Sequence, residues 1–315
     1  MENNKKVVAC IGTGTMGFST ALSCALAGFE VKMYGRTNSS LEKGFTNIKL
    51  ALDKLQKENY LNREEYESTY NKIKGFTSLE ETCNNVDVLL ESVAEDLQLK
   101  IEMFNQFARY CPEHTILGLN TSGLRPTLFA KGNERADKIV VIHFWNPSHL
   151  MPLVEIVPSA YTSKKTIEIA KKFVTALNKK PIVLNKEIPG FIGNRLQFAL
   201  LREALYLLET GIATAEEIDM AVKYSFARRL TVTGPIETAD LGGLDIFYHI
   251  SSYLWADLSN ATTSAPSLKE KYQKGLLGSK TGQGYYDWTK RHGEDLKEAR
   301  ETELIRWLKR DKSPK

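Results

Sequence analysis

A glycine-rich motif near the start of the chain constrains the fold more than any other feature. A short apolar run from Val7 to Ile11 leads directly into this motif, and a helical pattern follows from Phe18 to Ala27. The motif has the form Gly-x-Gly-x-x-Gly and reads Gly12, Thr13, Gly14, Thr15, Met16, Gly17. The first glycine permits a tight turn, the second lets the backbone approach a diphosphate, and the third lets the helix pack closely on the strand. Because the N–H groups at a helix N-terminus attract phosphate, the motif predicts a dinucleotide-binding domain.

Composition limits the class of protein. The 315 residues suffice for two domains with buried cores, and 42% hydrophobic with 25% charged residues is typical of a globular protein. A net charge of +4 is compatible with small anionic ligands. No basic run is interleaved with aromatic residues, so we expect no nucleic-acid partner.

The spacing of cysteine and histidine argues against a metal site. The four cysteines, at positions 10, 24, 83 and 111, form no Cys-x-x-Cys pair, and the histidines do not cluster. Free thiols fit a reducing compartment. No run approaches the roughly 20 apolar residues of a membrane helix, and the polar start is unlike a secretory signal. We therefore expect a cytoplasmic enzyme with no metal and no membrane partner.

Short apolar runs alternate with longer helical patterns from Val7 to about Lys186. This alternation predicts β-α-β units that build a mainly parallel sheet, as in a Rossmann-type α/β domain. The predicted strands are residues 7–11, 30–34, 86–92, 115–119, 139–143, 154–157 and 181–184. Residues 41–74 are charged and have apolar residues at helical spacing, which predicts a helical hairpin that protrudes from the sheet.

The pattern changes after Pro189, because residues 192–272 are helical with glycines between the helices. We therefore assign residues 1–187 to the dinucleotide-binding domain and residues 188–315 to an α-helical C-terminal domain. An amphipathic helix over about residues 295–310 is expected to pack on this second domain or on a partner subunit.

The end of the second predicted strand bears on which dinucleotide binds. An Asp or Glu about 20 residues after the first glycine normally binds the adenosine ribose of NAD. That position is Gly35 here, so no carboxylate repels a 2′-phosphate. Arg36 offers a guanidinium suited to phosphate, and Thr37 and Ser39 offer hydroxyls. We expect a preference for NADP; the alternative is an ordinary turn with a solvated Arg36 and NAD bound through fewer contacts.

Polar residues in separate stretches point to hydride transfer at an alcohol. Ser122 and His143 each follow or end a predicted strand, where ligands of such sheets bind, and Glu155 is a lone carboxylate in an apolar strand. Alcohol oxidation needs a base near neutral pH, which His143 supplies, and Glu155 would fix its tautomer. Ser122 and Asn194 would orient the substrate. The alternatives are a structural His143, a turn at Ser122, and pairing of Glu155 with Arg195.

Several motifs in a fixed order resemble those of one family. They lie at residues 12–17, 120–122, 143–147, 153–155, 189–196, 234–235, 240–245 and 277–286. By these motifs the chain resembles the L-3-hydroxyacyl-CoA dehydrogenase family over nearly its whole length, and 3-hydroxybutyryl-CoA dehydrogenases in particular. The resemblance implies a short-chain L-3-hydroxyacyl-CoA substrate and a C-terminal domain that pairs two subunits into a homodimer. It makes His143 the general base or acid with Glu155 as its partner, and it places these residues around the nicotinamide: Glu95, Lys100, Ser122, Asn146 and Lys280.

The chain also departs from the family pattern. Gly35 replaces the usual aspartate, Trp145 stands where a Phe is common, and an extra helix follows Trp288. These features are similar to relatives that oxidise L-gulonate, such as lambda-crystallin, or L-carnitine. A free hydroxy acid is therefore an alternative substrate. A non-catalytic nucleotide-binding protein is a third possibility, but retention of Ser122, His143, Glu155 and Asn194 argues against it.

The helical hairpin is where the family binds CoA, through a Ser and a Lys. The corresponding positions here are Ile48 and Leu55, with Lys49 and Lys54 adjacent. Two interpretations follow: either these lysines contact the CoA phosphates, or they form the solvated face of the hairpin.

Overall fold

The computed structural model describes residues 6–290 and 293–312. These residues divide into two compact units. The first comprises the chain up to Ile192 together with the segment from Glu298 onward, and the second comprises Gly193–Lys297. The division after Ile192 lies near the predicted boundary at residues 187–188. The sequence predicts the C-terminal segment on the second domain or a partner, whereas the structure groups residues from Glu298 onward with the first unit.

A sheet of eight strands forms the centre of the first unit, in the order β3-β2-β1-β4-β5-β6-β7-β8. Neighbouring strands are parallel except for β6 and β7, which are antiparallel. The strands are β1 Val7–Ile11, β2 Glu30–Tyr34, β3 Ile73–Phe76, β4 Val88–Glu91, β5 Ile116–Leu119, β6 Ile139–Phe144, β7 Leu153–Pro158 and β8 Lys180–Val183. The predicted set lacked β3, because this short strand contains Gly75 and buries only Ile73.

Helices cover both faces of the sheet, and alternating residues of each strand enter two separate cores. In β1, Val8 and Cys10 enter the first core while Ala9 and Ile11 enter the second. The first-unit helices are α1 Thr15–Leu26, α2 Asn38–Lys57, α3 Arg63–Asn71, α4 Leu79–Cys83, α5 Leu97–Tyr110, α6 Pro126–Ala130 and α7 Lys164–Ala176. This covering on both faces explains why the strands read as continuous apolar runs.

The predicted hairpin is formed by α2 and α3. A capping box starts each helix: Thr37 and Ser40 cap α2, and Asn62 and Glu65 cap α3. The apolar stripe of α2 faces the first core and comprises Leu41, Ile48, Leu52 and Leu55. The hairpin is therefore anchored by one buried face and leaves its charged residues outside.

The second unit is helical, as predicted. Its helices are α8 Gly193–Glu209, α9 Ala215–Tyr224, α10 Phe226–Leu230, α11 Pro235–Gly242, α12 Leu244–Leu254 and α13 Pro266–Gln273. Many large apolar side chains of this unit are exposed, among them Val232 and Ile236, each 82% exposed. The last helix, α14 Gly293–Lys312, begins in this unit, and its residues from Glu298 onward belong to the first.

Three further findings concern the described part of the chain. None of its helices combines the length and hydropathy that a bilayer span requires. The four cysteines are free and buried. Within residues 6–290 and 293–312, no cluster of His, Cys, Asp and Glu side chains is arranged to hold a metal ion.

Candidate active site

The candidate site lies where β4, β5 and β6 end at one edge of the sheet. Asn120 links these strand ends: its Nδ2 donates to Ser92 Oγ at 3.1 Å, and its Oδ1 accepts from the Phe144 backbone N–H at 3.1 Å. This side chain therefore fixes the spacing between the segment that carries Ser122 and the strand that carries His143.

His143 and Glu155 meet across the antiparallel pair at this edge. The register of β6 and β7 places the two residues directly opposite each other, on the same face of the sheet. His143 Nδ1 lies 2.8 Å from Glu155 Oε2. The imidazole is 4% exposed and the carboxylate 0%. The pairing that the sequence predicts for these two residues is thus present in the fold.

Two further N–H groups bind the buried carboxylate. Trp145 Nε1 donates to Oε2 at 3.3 Å, and the backbone N–H of Ile192 donates to Oε1 at 2.9 Å. Together with the imidazole they compensate the cost of burying the carboxylate's charge. An ionised carboxylate can only accept hydrogen bonds, so Nδ1 of His143 carries a proton and Nε2 is left for acid-base chemistry.

Aromatic rings hold the imidazole in place. The Phe191 ring lies edge-on to His143 with 5.3 Å between centroids, and the Trp145 ring lies at 6.0 Å. Phe191 and Ile192 lie in a motif that the sequence singles out, but no role is predicted for either residue. Their position directly before the unit boundary is the signal that could have identified them.

The glycine loop is shaped to receive a diphosphate. Gly12 has φ of 116°, and a Cβ atom there would lie 2.6 Å from the carbonyl oxygen of Ser92. Gly14 is the exposed N-cap of α1; no atom would lie within 4 Å of a Cβ at this position, and no side chain caps the helix. The N-terminus of α1 is therefore exposed and has no side-chain cap, which fits a dinucleotide phosphate.

Space at Gly35, at the end of β2, is limited by two side chains. A Cβ atom at this position would lie 2.6 Å from Ser40 Oγ and 2.9 Å from Leu41 Cγ, so a larger residue would require these side chains to shift. Arg36 is exposed beside it. The Thr37 hydroxyl accepts from the Ser40 N–H at 3.1 Å, so it is engaged in capping α2.

A network of charged side chains lies next to the site and consists of Lys100, Glu91 and Glu95. Lys100 is fully buried, and its Nζ lies 2.8 Å from both oxygens of the buried Glu91 and 3.2 Å from Glu95 Oε2. Thr121 donates to Glu95 in turn. Burial raises the pKa of Glu91, while the Lys100 ammonium opposes that shift. The network orients Glu95 next to the segment that contains Ser122; sequence analysis missed Glu91.

The remaining predicted site residues lie in both units. Ser122 and Asn146 are exposed, following β5 and β6 of the first unit. Asn194 lies in the first turn of α8, and Lys280 is exposed between α13 and α14, both in the second unit.

The hairpin residues near the predicted CoA position have partners of their own. Ile48 and Leu55 are buried in the first core. Lys49 Nζ lies 5.2 Å from the centroid of the Tyr70 ring. Lys54 Nζ lies 2.8 Å from the Glu301 carboxylate of α14.

Comparison with known proteins gives consistent matches along the chain. A family model described as "3-hydroxyacyl-CoA dehydrogenase, NAD binding domain" matches residues 7–188, and one described as "3-hydroxyacyl-CoA dehydrogenase, C-terminal domain" matches residues 190–288. A probable 3-hydroxybutyryl-CoA dehydrogenase of Bacillus subtilis is 34% identical over 90% of this chain and 97% of its own length.

Two further matches extend over more of the chain. The 5-formyl-3-hydroxy-2-methylpyridine 4-carboxylate 5-dehydrogenase of Mesorhizobium japonicum is 28% identical over 95% of this chain and 96% of its own length. A crystal structure of an enzyme with this activity, described as an NAD+-dependent dismutase, superposes with a TM-score of 0.90 and 27% identity, covering 98% of this chain and 99% of its own.

Proposed function

The chain belongs to the 3-hydroxyacyl-CoA dehydrogenase family, and on that premise we propose that His143 and Glu155 form the acid-base dyad of its hydride-transfer reaction. The reaction interconverts a hydroxyl and an oxo group on the substrate. The observation that carries the proposal is the hydrogen bond of 2.8 Å between His143 Nδ1 and Glu155 Oε2.

The dyad moves one proton in each direction of the reaction. In oxidation, His143 Nε2 takes the proton of the substrate hydroxyl, and Glu155 balances the charge of the imidazolium that forms. In reduction, the imidazolium returns this proton to the oxygen of the oxo group. A bound nicotinamide accepts or supplies the hydride that completes each direction. Phe191 and Trp145 keep the imidazole oriented throughout.

We assign the cofactor to the glycine loop and the adjoining strand edge. Its diphosphate is held by the loop residues Gly12, Thr13, Gly14, Thr15, Met16 and Gly17. Its nicotinamide half is held by Glu95, Ser122, Asn146 and Lys280. Lys100, which is fully buried, acts through Glu95. We further propose a preference for NADP over NAD, supported by the absence of a carboxylate at Gly35 and by the exposed guanidinium of Arg36.

The substrate is a short 3-hydroxy or 3-oxo acyl unit, oriented by Ser122 and Asn194. Family membership favours a CoA thioester of that unit, the first expectation from the sequence. A free acid is the second candidate. It is favoured by the match to an enzyme named for a pyridine carboxylate, which extends over nearly the whole of both chains.

We propose that the enzyme is a homodimer formed through its second unit. Exposed apolar side chains in that unit include Leu241 and Trp255, at 78% and 74%. Apolar surface of this extent is typical of a protein interface. Light scattering after gel filtration should give twice the chain mass of 35.5 kDa.

Steady-state assays test the function. Oxidation of NADPH and of NADH is followed with acetoacetyl-CoA and acetoacetate, and cofactor reduction is followed with L-gulonate and L-carnitine. We expect turnover of at least one of these oxo or hydroxy acids, either as the CoA thioester or as the free acid. Absence of nicotinamide-linked turnover with every substrate would contradict the proposal.

A further inference from the structure

The C-terminal part of α14 is built into the first unit against the hairpin. Leu304 and Leu308 pack against the first core, and Ile305, 1% exposed, is part of it. The sequence pattern around Ile305 is amphipathic, with charged residues on the remaining faces. Residues 298–312 therefore have an apolar side that packs on the first core.

Carboxylates of α14 pair with the lysines on this side of α2. Lys54 Nζ lies 2.8 Å from Glu301 Oε2, and Lys57 Nζ lies 3.2 Å from Glu298 Oε1. The hydrogen bond from Lys57 lowers the pKa of the Glu298 carboxyl. The two ion pairs neutralise the cations by which this surface could attract a phosphate.

Further contacts close the end of the hairpin. Thr302 Oγ1 donates to Glu58 Oε1 at 3.2 Å, and Lys309 donates to the Glu58 carbonyl oxygen. Lys312 Nζ lies 3.8 Å from the centroid of the Tyr60 ring. α14 thus contacts the hairpin at Lys54, Lys57, Glu58 and Tyr60.

A CoA thioester needs cations for its diphosphate and 3′-phosphate, since phosphate groups are recognised by Lys and Arg. Of the lysines between residues 49 and 57, Lys54 and Lys57 are paired with α14 and Lys49 lies over the Tyr70 ring. The apolar packing of Leu304, Ile305 and Leu308 holds this part of α14 in place, and Glu298 and Glu301 supply the charge that opposes a phosphate. A phosphate approaching here would also meet the carboxylates of Glu298 and Glu301.

We propose that α14 is a specificity element that closes the hairpin to the nucleotide of CoA, so that the dyad acts on a compact oxo or hydroxy acid. This inference rests on the reaction given under the proposed function, and of the two candidate substrates there it favours the free acid over the CoA thioester. It means that residues 298–312, which are not catalytic, determine whether the enzyme accepts a CoA thioester or a free acid.

The inference is tested by comparing kcat/KM for two thioesters of the same acyl group. Acetoacetyl-CoA and acetoacetyl-N-acetylcysteamine present the same reacting group, but only the former carries the nucleotide. We expect their kcat/KM values to differ by less than about tenfold, because a nucleotide anchored by even a few phosphate contacts would contribute more than that. A preference of tenfold or more for acetoacetyl-CoA would overturn the proposal.

A binding measurement tests α14 without any turnover. Desulfo-CoA is titrated calorimetrically into the wild-type enzyme and the double variant Glu298→Gln/Glu301→Gln, with circular dichroism to confirm folding. We expect a wild-type Kd weaker than about 1 mM and binding at least about tenfold tighter in the double variant. The matched control is Glu303→Gln, on the same helix, where the carboxylate pairs locally with Arg306 at 3.1 Å.

Wild-type binding of desulfo-CoA at about 100 µM or tighter, or a double variant no tighter than the Glu303→Gln control, would overturn the proposal. The Kd of desulfo-CoA does not depend on catalysis by His143 and Glu155. If the wild-type enzyme turned over neither thioester nor a free acid, the proposed function would fail while the binding result still reported on α14.

Discussion

His143 and Glu155 are twelve residues apart in sequence and directly opposite each other on the antiparallel strands β6 and β7, with 2.8 Å between Nδ1 and Oε2. The antiparallel pair is the one departure from parallel order in the sheet. Antiparallel strands can be joined by a short connection, so two residues only twelve positions apart lie opposite each other. Parallel strands need a longer crossover connection. The sheet topology thus positions the proposed acid-base pair.

Replacing Glu155 with Gln should lower kcat by about 10- to 100-fold, since the imidazolium would lose its balancing charge while the substrate contacts stay in place. KM should change much less. Steady-state kinetics across pH measure both effects, with His114→Gln as the control because His114 is exposed and pairs only with Asp87 at 3.5 Å. A variant with wild-type kcat would show that the carboxylate is structural.

Replacing Arg36 with Ala should lower kcat/KM for NADPH by about tenfold or more, because a charge-assisted contact to the 2′-phosphate would be lost. The value for NADH should stay within about threefold of wild type, since that cofactor has no 2′-phosphate. Lys43→Ala, an exposed lysine in α2, is the matched control. An unchanged ratio of the two kcat/KM values would contradict the proposed NADP preference.

Replacing Lys100 with Met should destabilise the protein by about 3 kcal/mol or more, because Glu91 would be left as a buried carboxylate without its cation. Adding Glu91→Gln should recover part of this loss, since the double variant removes the charge. Chemical denaturation measures each free energy of unfolding. Lys131→Met, an exposed lysine of the same unit, should lie within about 0.5 kcal/mol of wild type. Equal stabilities of the Lys100 and Lys131 variants would refute the network.

Acid should destabilise the fold partly through His149. Burial and, next, the charge of Lys179 lower the pKa of His149 to about 4, and its Nδ1 lies 2.8 Å from Ser19 Oγ. Since the folded pKa lies below the unfolded one, the unfolded chain binds more protons between these values. Stability is therefore complete above about pH 6.5 and falls as the pH drops towards 4, by at most about 3 kcal/mol from this group.

The variant His149→Gln cannot titrate, so its free energy of unfolding should decline less steeply between pH 6.5 and 4 than that of wild type. Urea denaturation at a series of pH values measures the slopes. Parallel slopes for the two proteins would exclude His149 as a contributor.

Local signals predicted most of the fold. The glycine motif and the apolar runs identified β1, α1 and six further strands, because strands buried on both faces must be continuously apolar. β3 was not predicted, because a four-residue edge strand that contains Gly75 has no clear pattern of apolar residues. Its pairing with β2 comes from the tertiary structure.

The contact between His143 and Glu155 was predictable from residue chemistry, since an isolated carboxylate in an apolar strand needs a partner. The donor from the Ile192 backbone was not predictable, because a backbone N–H has no sequence signature. The indole donor of Trp145 was not predicted either, since the sequence marked Trp145 only as a departure from the family pattern. Docking of α14 on the hairpin was missed for a different reason: amphipathicity shows that a helix packs, without showing on which surface.

The most direct test of the account is the turnover of His143→Gln with whichever substrate the wild-type enzyme uses. Glutamine retains a hydrogen-bonding side chain but cannot take up the substrate proton, so kcat should fall by at least about 100-fold. Cofactor binding, measured by nicotinamide fluorescence, should be unchanged. Full turnover by this variant would contradict the assignment of His143 as the acid-base residue.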